Sequence, residues 1–170
     1  MLRLTRVTDY GILLMTKLAK RAAEDASARL TSSSLALATR VPAPTVSKIL
    51  QTLLHAGLLN SERGAHGGYC LVRPASNITL REIIHCLEGS IALTECNLEK
   101  NECEQMPFCS TSNHWKRINA AIHHALEGIT LEDMTSEAFT PVFVMKKTMP
   151  IQTEPIQIKP IAKPVEREAV

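Results

Sequence analysis

Three cysteines with wide spacing are the residues of this chain best suited to chemistry. Cys96, Cys103 and Cys109 leave six and five residues between successive thiols. Structural zinc sites usually place paired ligands about two to four residues apart, whereas wider spacing on an irregular segment lets a chain wrap a larger inorganic core. The spacing therefore favours an iron–sulfur cluster. Of the two common types we expect 2Fe–2S, with 4Fe–4S as the alternative. Because three thiolates leave one coordination position open, such a cluster needs a fourth ligand.

The other two of the five cysteines stand apart from this group. Cys70 lies in a predicted strand and Cys86 on a predicted helix, each among apolar neighbours, so we expect both to be buried structural thiols. An odd count with three cysteines close together indicates metal or redox chemistry rather than a disulfide framework.

Composition and charge limit the kind of protein that positions these thiols. Apolar residues make up 45% of the chain and aromatic residues 4%, which favours a mainly helical fold with an aliphatic core. No apolar run approaches the roughly 18 residues of a membrane span, and the N-terminus lacks a secretory signal, so we expect a cytoplasmic protein without a membrane partner. Residues 1–89 carry a net charge of +5 and residues 90–139 one of −5, which suggests that the first part meets a polyanion.

Helical periodicity and turn residues predict a helix-turn-helix near the N-terminus. A first helix is expected from Thr8, whose hydroxyl can cap it, with an apolar face of Leu13, Leu14, Leu18 and Ala22. Two shorter helices follow at about 32–38 and 44–55, joined by a proline-containing turn, and Gly57 ends the second. Two short helices joined by a tight turn are typical of DNA-binding proteins.

A β-hairpin is predicted directly after this motif. The extended runs 58–63 and 69–72 flank a glycine-rich turn, and a hairpin in this place is a wing. Thr79 and Glu82 then have the spacing of a capping box and open another helix. The predicted fold class is mainly α with a small β wing, a winged helix-turn-helix followed by a long C-terminal dimerisation helix.

Four segments follow from these patterns. Residues 1–89 form the winged helix-turn-helix domain, 90–112 the cysteine loop, 113–138 the dimerisation helix with a short terminal helix, and 139–170 a proline-rich tail expected to be disordered. The long helix has its own apolar face outside the winged-helix unit, which favours a homodimer; that face comprises Trp115, Ile118, Ala121, Ile122, Ala125 and Leu126.

Polar and basic residues of the first segment are candidate contacts to double-stranded operator DNA. The exposed start of a recognition helix reaches base edges in the major groove, and the residues there are Thr45, Ser47, Lys48 and Gln51. Arg63 at the wing base suits an adjacent minor groove. Further candidates for phosphate contacts are Arg3, Arg6 and Lys17.

Combined motifs resemble a known family. The wing run from Arg63 to Tyr69 (RGAHGGY), the run from Ile129 to Met134 (ITLEDM) and the three-cysteine loop are together similar to the iron–sulfur-cluster winged-helix repressors, the IscR- and NsrR-like regulators. The resemblance covers roughly residues 1–135. Within the family, the chain is most similar to regulators of the SUF cluster-assembly operon.

The resemblance implies a dimer whose long helices cross and bring each cluster loop near the partner's first helix. It also implies Cys96, Cys103 and Cys109 as cluster ligands and Arg63 as a minor-groove contact. IscR-like proteins place a histidine three residues after the last cysteine, where this chain has Ser112.

The fourth ligand therefore has two candidates. NsrR-like proteins use the aspartate of a Thr-Asp pair in the first helix, donated by the partner subunit, and Thr8-Asp9 matches that pair. Asp9 is thus the first choice and His114 the second.

These observations predict a regulator, acting as a repressor, that senses iron–sulfur cluster status and controls SUF-type cluster-assembly genes. Three alternatives stay open: a nitric-oxide or redox sensor on the same scaffold, a cluster-free thiol switch, and a small metalloenzyme with three cysteine ligands. The sequence contains no nucleophile motif, P-loop or HExxH, and an enzyme has no need of a wing. We therefore expect neither catalysis nor a small-molecule substrate.

Overall fold

The structure is a computed structural model that describes residues 4–64, 67–97, 103–104 and 108–136. This part of the chain contains five α-helices, a two-stranded hairpin and short 3-10 helices at Ala75–Asn77, Glu95–Asn97 and Asp133–Thr135. The helices are α1 (Arg6–Glu24), α2 (Ser32–Thr39), α3 (Ala43–His55), α4 (Leu80–Glu88) and α5 (Ser112–Glu127), and the strands are β1 (Leu59–Glu62) and β2 (Gly68–Leu71). The predicted fold class, mainly α with a small β wing, is confirmed. The predicted tail lies outside the described residues.

The core lies where the apolar faces of α1, α3 and α4 meet beneath α2 and the wing. Its members are aliphatic, as the low aromatic content requires, and they are Leu14, Met15, Leu18, Ala19, Leu35, Val41, Val46, Ile49, Leu50, Leu53, Leu58, Leu59, Ile78, Ile83 and Leu131. The predicted inward face of α1 was wrong at Leu13, which is 37% exposed, whereas Met15 is completely buried. The apolar face of α1 is rotated about the helix axis relative to the prediction, because Thr8 and Gly11 share the buried side.

Helix α1 begins earlier than predicted, because Thr5 and not Thr8 is its N-cap. Thr8 is completely buried, and its hydroxyl donates a 2.6 Å hydrogen bond to Glu88 Oε1. The same carboxylate oxygen accepts a 2.7 Å bond from the backbone N–H of Thr5. A carboxylate at the positive end of a helix is stabilising, so the last residue of α4 holds the first turn of α1.

Helices α2 and α3 form the predicted helix-turn-helix. Helix α3 begins at Ala43 with Pro44 as its second residue, where the fixed φ of proline suits the first turn. Gly57 follows the C-cap with a φ of +72°, as expected for the residue that ends a helix in the left-handed region. The turn after α2 reaches that region too, at Arg40 with a φ of +56°.

The wing is the antiparallel hairpin β1–β2, in which Leu59 pairs with Leu71 and Glu62 with Gly68. Strand β2 also pairs with the segment before α2: the N–H of Tyr69 donates to Leu30 O at 2.8 Å, and the N–H of Leu30 donates to Tyr69 O at 3.0 Å. A Cβ at position 68 would lie 2.8 Å from Leu30 O, so this close approach requires glycine. The wing is therefore attached to the domain through β2, which pairs with β1 on one side and with Leu30 on the other.

The segment after α5 returns to the winged-helix core. Backbone N–H groups of Leu80 and Leu131 donate to Ile129 O and Ile78 O, each at 2.8 Å, and Leu131 is completely buried. Helix α5, in contrast, has no fully buried residue. Among the described residues, no helix is long and apolar enough to cross a membrane.

Candidate nucleic-acid interface and cysteine centre

One side of helix α3 is polar and open. Its opposite side carries four core residues, which fixes the helix on the domain. On the open side Lys48 and Gln51 are exposed, and Thr45 and Ser47 are half-buried. An exposed polar helix face that is held from behind by aliphatic packing has the form needed to enter a major groove.

Other candidate DNA contacts surround this helix. Arg63 is exposed where β1 ends, and Arg6 is exposed in the first turn of α1, while Lys17 is half-buried. Arg3 lies outside the described residues. Between α3 and the wing runs a cleft of about 420 Å³, lined by Gln51, Leu54, His55, Ser61, Glu62, Arg63, Gly68 and Tyr69.

Arg29 connects the wing to the rest of the domain and was missed by the sequence analysis. Its guanidinium donates to the carboxylate of Glu62 on β1 and to Cys70 Sγ on β2. Arg29 and Glu62 are 33 positions apart, so no local spacing could reveal the pair. The pairing of the adjacent Leu30 with Tyr69 is what brings Arg29 beside both strands.

Two of the three clustered cysteines have described side chains, and both are suited to binding iron. Cys103 and Cys109 are half-buried free thiols, and Cys96 lies in a short 3-10 helix, Glu95–Asn97, with its side chain outside the described part. Cys109 Sγ lies 3.2 Å from Thr111 Oγ1, and this hydrogen bond lowers the pKa of the Cys109 thiol.

The cysteine segment, which carries Cys96, Cys103 and Cys109, leads directly into α5. The N–H of Ser112, the first residue of α5, points at Cys109 O with an N···O distance of 3.4 Å. Thiolates are the usual ligands of iron–sulfur clusters, so this donor set fits such a group. Within the described part of the chain, which leaves out the Cys96 side chain, no three Cys, His, Asp or Glu side chains converge as a metal site.

Polar contacts hold the beginning of the cysteine segment against α5. Asn119 Oδ1 accepts from the N–H of Leu93 at 3.3 Å, and the Nε2–H of His123 donates to Ile91 O at 2.8 Å. Ile91 itself is buried. The segment that follows α4 is thereby fixed to the middle of α5 before it reaches Cys96.

The two candidate fourth ligands are both accessible from outside the chain. Asp9 is exposed in the first turn of α1, and His114 is exposed at the third position of α5. Ser112, which replaces the expected histidine, is half-buried. An exposed Asp9 can be donated to a second subunit.

The remaining two cysteines lie in the winged-helix part. Each is half-buried, not fully buried as predicted, because Cys70 stands on a thin hairpin and Cys86 at the rim of the core. The thiol of Cys86 donates to Thr52 O at 3.7 Å, and burial raises the pKa of this thiol, as suits a structural role.

Comparison with known proteins decides the class of this molecule. Residues 4–137 match the family model Rrf2, described as an iron-dependent transcriptional regulator. The chain belongs to the Rrf2 family. The predicted resemblance is confirmed at that level, and this Rrf2 protein is a DNA-binding transcriptional regulator, not an enzyme.

Individual Rrf2 relatives agree with this assignment. The HTH-type transcriptional regulator CymR of Bacillus subtilis (strain 168) is 34% identical over 127 residues, which cover 75% of this chain and 85% of CymR. The solved structure of CymR, the global cysteine regulator of B. subtilis, matches with a TM-score of 0.63 and 32% identity over 79% of this chain and 97% of that one. The T. potens IscR structure matches with a TM-score of 0.60 and 30% identity over 78% of this chain and 85% of that one.

Proposed function

We propose that this Rrf2 regulator is a cytoplasmic repressor that senses iron–sulfur cluster status and controls SUF-type cluster-assembly genes. Cys96, Cys103 and Cys109 would hold the cluster, and the partner's Asp9 would complete the ligand set. The observation that carries the proposal is the attachment of a cysteine-bearing segment to α5: Asn119 and His123 bind its beginning, and Cys109 stands three residues before the helix starts. The iron dependence in the family description supports it.

Contacts around the cysteine segment connect it to the DNA-binding surface, so that a change in the position of the segment can change that surface. Helix α4 packs against both α1 and α3 and leads directly into that segment. Its last residue, Glu88, holds the first turn of α1, which carries Arg6 and Asp9. When bound, the cluster would supply thiolate-ligated iron that reacts to the cellular signal; the chain's own part is to convert the segment's position into a shift between DNA-competent and DNA-incompetent populations.

The proposal includes a homodimer formed through α5. On this helix the side chains of Trp115 and Ile118 are 37% and 44% exposed. They belong to the predicted apolar face, which continues from the side of α5 that packs on its own domain. A helix with an uncovered apolar face is stabilised by pairing with another, and a two-fold dimer presents two recognition helices to successive major grooves.

Cysteine variants of the full chain, purified without oxygen, test the cluster. Cys96→Ala, Cys103→Ala and Cys109→Ala should each lose most of the visible absorbance, iron and sulfide, because a missing thiolate leaves iron without its preferred ligand. Cys70→Ala and Cys86→Ala serve as matched controls and should keep them. Equal loss in all five variants, or iron-free wild-type protein, would contradict the proposal.

A cluster-free regulator whose cysteines act as a thiol switch is the second candidate. The likeness to CymR, the global cysteine regulator of B. subtilis, favours it. It predicts wild-type protein without iron or sulfide and DNA affinity that changes with thiol oxidation alone, so the same iron assay separates the two candidates. The nitric-oxide or redox sensor on the same scaffold differs from the first candidate in its signal and in the genes that it regulates.

A further inference from the structure

Glu62 borders the cleft between α3 and the wing, so its carboxylate lies near the place where DNA phosphates should approach. Among the described residues that line the cleft, Glu62 is the one acidic residue; it stands between Ser61 and Arg63 on the wing, and Gln51 and His55 belong to α3. In the proposed docking, α3 lies in the major groove and the wing lies over the adjoining backbone. A free carboxylate beside this cleft would repel the DNA backbone, since like charges at an interface cost binding free energy.

Arg29 neutralises the negative charge of Glu62 from a position outside the lining of the cleft. Its guanidinium pairs with the carboxylate of Glu62 and also donates to Cys70 Sγ. The Arg29 side chain is 23% exposed, compared with 62% for Glu62, and it does not belong to the lining of the cleft. Arg29 is thus placed to act on Glu62 without itself facing the DNA.

The position of Arg29 is fixed by backbone structure and not by the ion pair alone. The adjacent residue Leu30 exchanges two backbone hydrogen bonds with Tyr69 of β2, and Gly68 permits this close approach. Arg29 therefore enters the pair from a segment anchored on the wing, which reduces the entropy lost in forming it.

We propose that Arg29 is a positioning residue of the DNA interface: it neutralises Glu62 and thereby admits a backbone phosphate into the cleft. The phosphate would be bound there by Arg63, by the hydroxyl of Ser61 and by the ring of His55 on the opposite wall. This inference rests on the proposed docking of α3 and the wing. It adds a residue that the DNA does not touch but that the phosphate site requires.

A double-mutant cycle on the full-length protein tests this role. The probe is a labelled duplex enriched by the wild-type protein from a random-sequence pool, and the dissociation constant is measured by fluorescence anisotropy. Arg29→Gln should weaken binding by about tenfold, and adding Glu62→Gln should restore it to within about threefold of wild type. Glu62→Gln alone should bind at least as tightly as wild type.

Matched controls separate this local effect from overall charge and from folding. Arg21 pairs with Glu24 at 2.9 Å on the exposed last turn of α1, so Arg21→Gln makes the same change in net charge and should alter affinity less than about twofold. Arg29→Lys keeps the charge and should bind DNA within about threefold of wild type. If thermal unfolding shows that Arg29→Gln is destabilised, the lysine variant still tests whether a positive charge at this position is what DNA binding requires.

The outcomes distinguish this inference from the function beneath it. The pairing role would be overturned if Arg29→Gln bound DNA as tightly as wild type. It would also be overturned if Glu62→Gln changed the dissociation constant by the same factor in the wild-type and the Arg29→Gln proteins. Either result would leave the DNA-binding function intact. Equal losses of DNA affinity in Arg29→Gln and Arg21→Gln would show that the change in net charge alone causes the loss. This result would also overturn the pairing role. A wild-type protein that enriches no duplex would overturn the docking itself, and this inference with it.

Discussion

At the scale of the residue, the fourth ligand is a choice between a carboxylate and an imidazole. A carboxylate is a weaker match than thiolate for cluster iron, so Asp9 would be the labile ligand, as a sensor needs. Asp9→Ala should shorten the lifetime of the visible absorbance in air by about tenfold, while His114→Ala, also an exposed position, should change it little. The reverse result would assign the ligand to His114 and leave Asp9 as an ordinary helix-start residue.

Glu88 is the second residue with a specific expected effect. Its bonds from the Thr8 hydroxyl and the Thr5 N–H lower the pKa of its carboxyl below the ordinary 4.5. Glu88→Gln should therefore reduce the free energy of unfolding at pH 7 by about 1 kcal/mol, a modest figure because the group is exposed.

The pH dependence of that difference follows from the direction of the shift. A carboxyl with a lowered pKa in the folded state stabilises above its unfolded pKa, and this contribution is lost as the pH falls through the folded value. Urea unfolding should thus show wild type and Glu88→Gln converging below about pH 4. A constant difference from pH 7 down to pH 3 would mean that the carboxylate charge is not responsible, and Glu24→Gln provides an exposed control.

At the scale of the element, α3 and the wing should contribute to DNA binding through separable charges. Lys48→Ala and Arg63→Ala should each weaken binding, and each should reduce the slope of log affinity against log salt by about 1 if it neutralises one phosphate. Arg117→Ala, an exposed cation on α5, is the control and should leave the slope unchanged. Slopes equal to that of wild type in both variants would place the phosphate contacts elsewhere.

Elements with local signals were predictable from the sequence. The glycine after α3, the capping box of Thr79 with Glu82 and the glycine-rich hairpin each depend on residues a few positions apart, and each is confirmed. The start of α1 was wrong because Thr5 and Thr8 are both competent caps. Glu88, about 80 positions away, binds both of them, and a local pattern cannot include it.

The candidate functional residues also divide into those with a local sequence signal and those that depend on long-range contacts. The clustered cysteines and the polar face of α3 each show a characteristic spacing in the sequence. Residue types and spacing were therefore sufficient to predict them as candidate sites. Arg29 was not predicted, since it lies in a polar stretch without periodicity and acquires its role only when Leu30 pairs with Tyr69. Long-range pairings of this kind depend on the assembled fold.

At the scale of the whole molecule, the end of α5 is attached to the winged-helix part. Arg81 pairs with Glu127 in the last turn, and Leu80 binds Ile129 just beyond it. The start of α5, in contrast, adjoins the cysteine segment. This asymmetry lets the cysteine segment influence the helix that is proposed to join two subunits.

The homodimer gives the last prediction. Ile118 and Ala121 are exposed neighbours on the apolar face of α5, so replacing both with Glu places two charges where the second helix should pack, with little effect on the isolated fold. The variant should sediment as a monomer and lose about a hundredfold or more in DNA affinity, because one half-site alone remains bound. Asn113→Glu with Ala120→Glu, on the opposite exposed side of α5, is the matched control and should stay dimeric. A dimer that persists in the Ile118/Ala121 variant, with unchanged thermal unfolding, would exclude α5 as the interface and with it the route by which Asp9 reaches a second subunit.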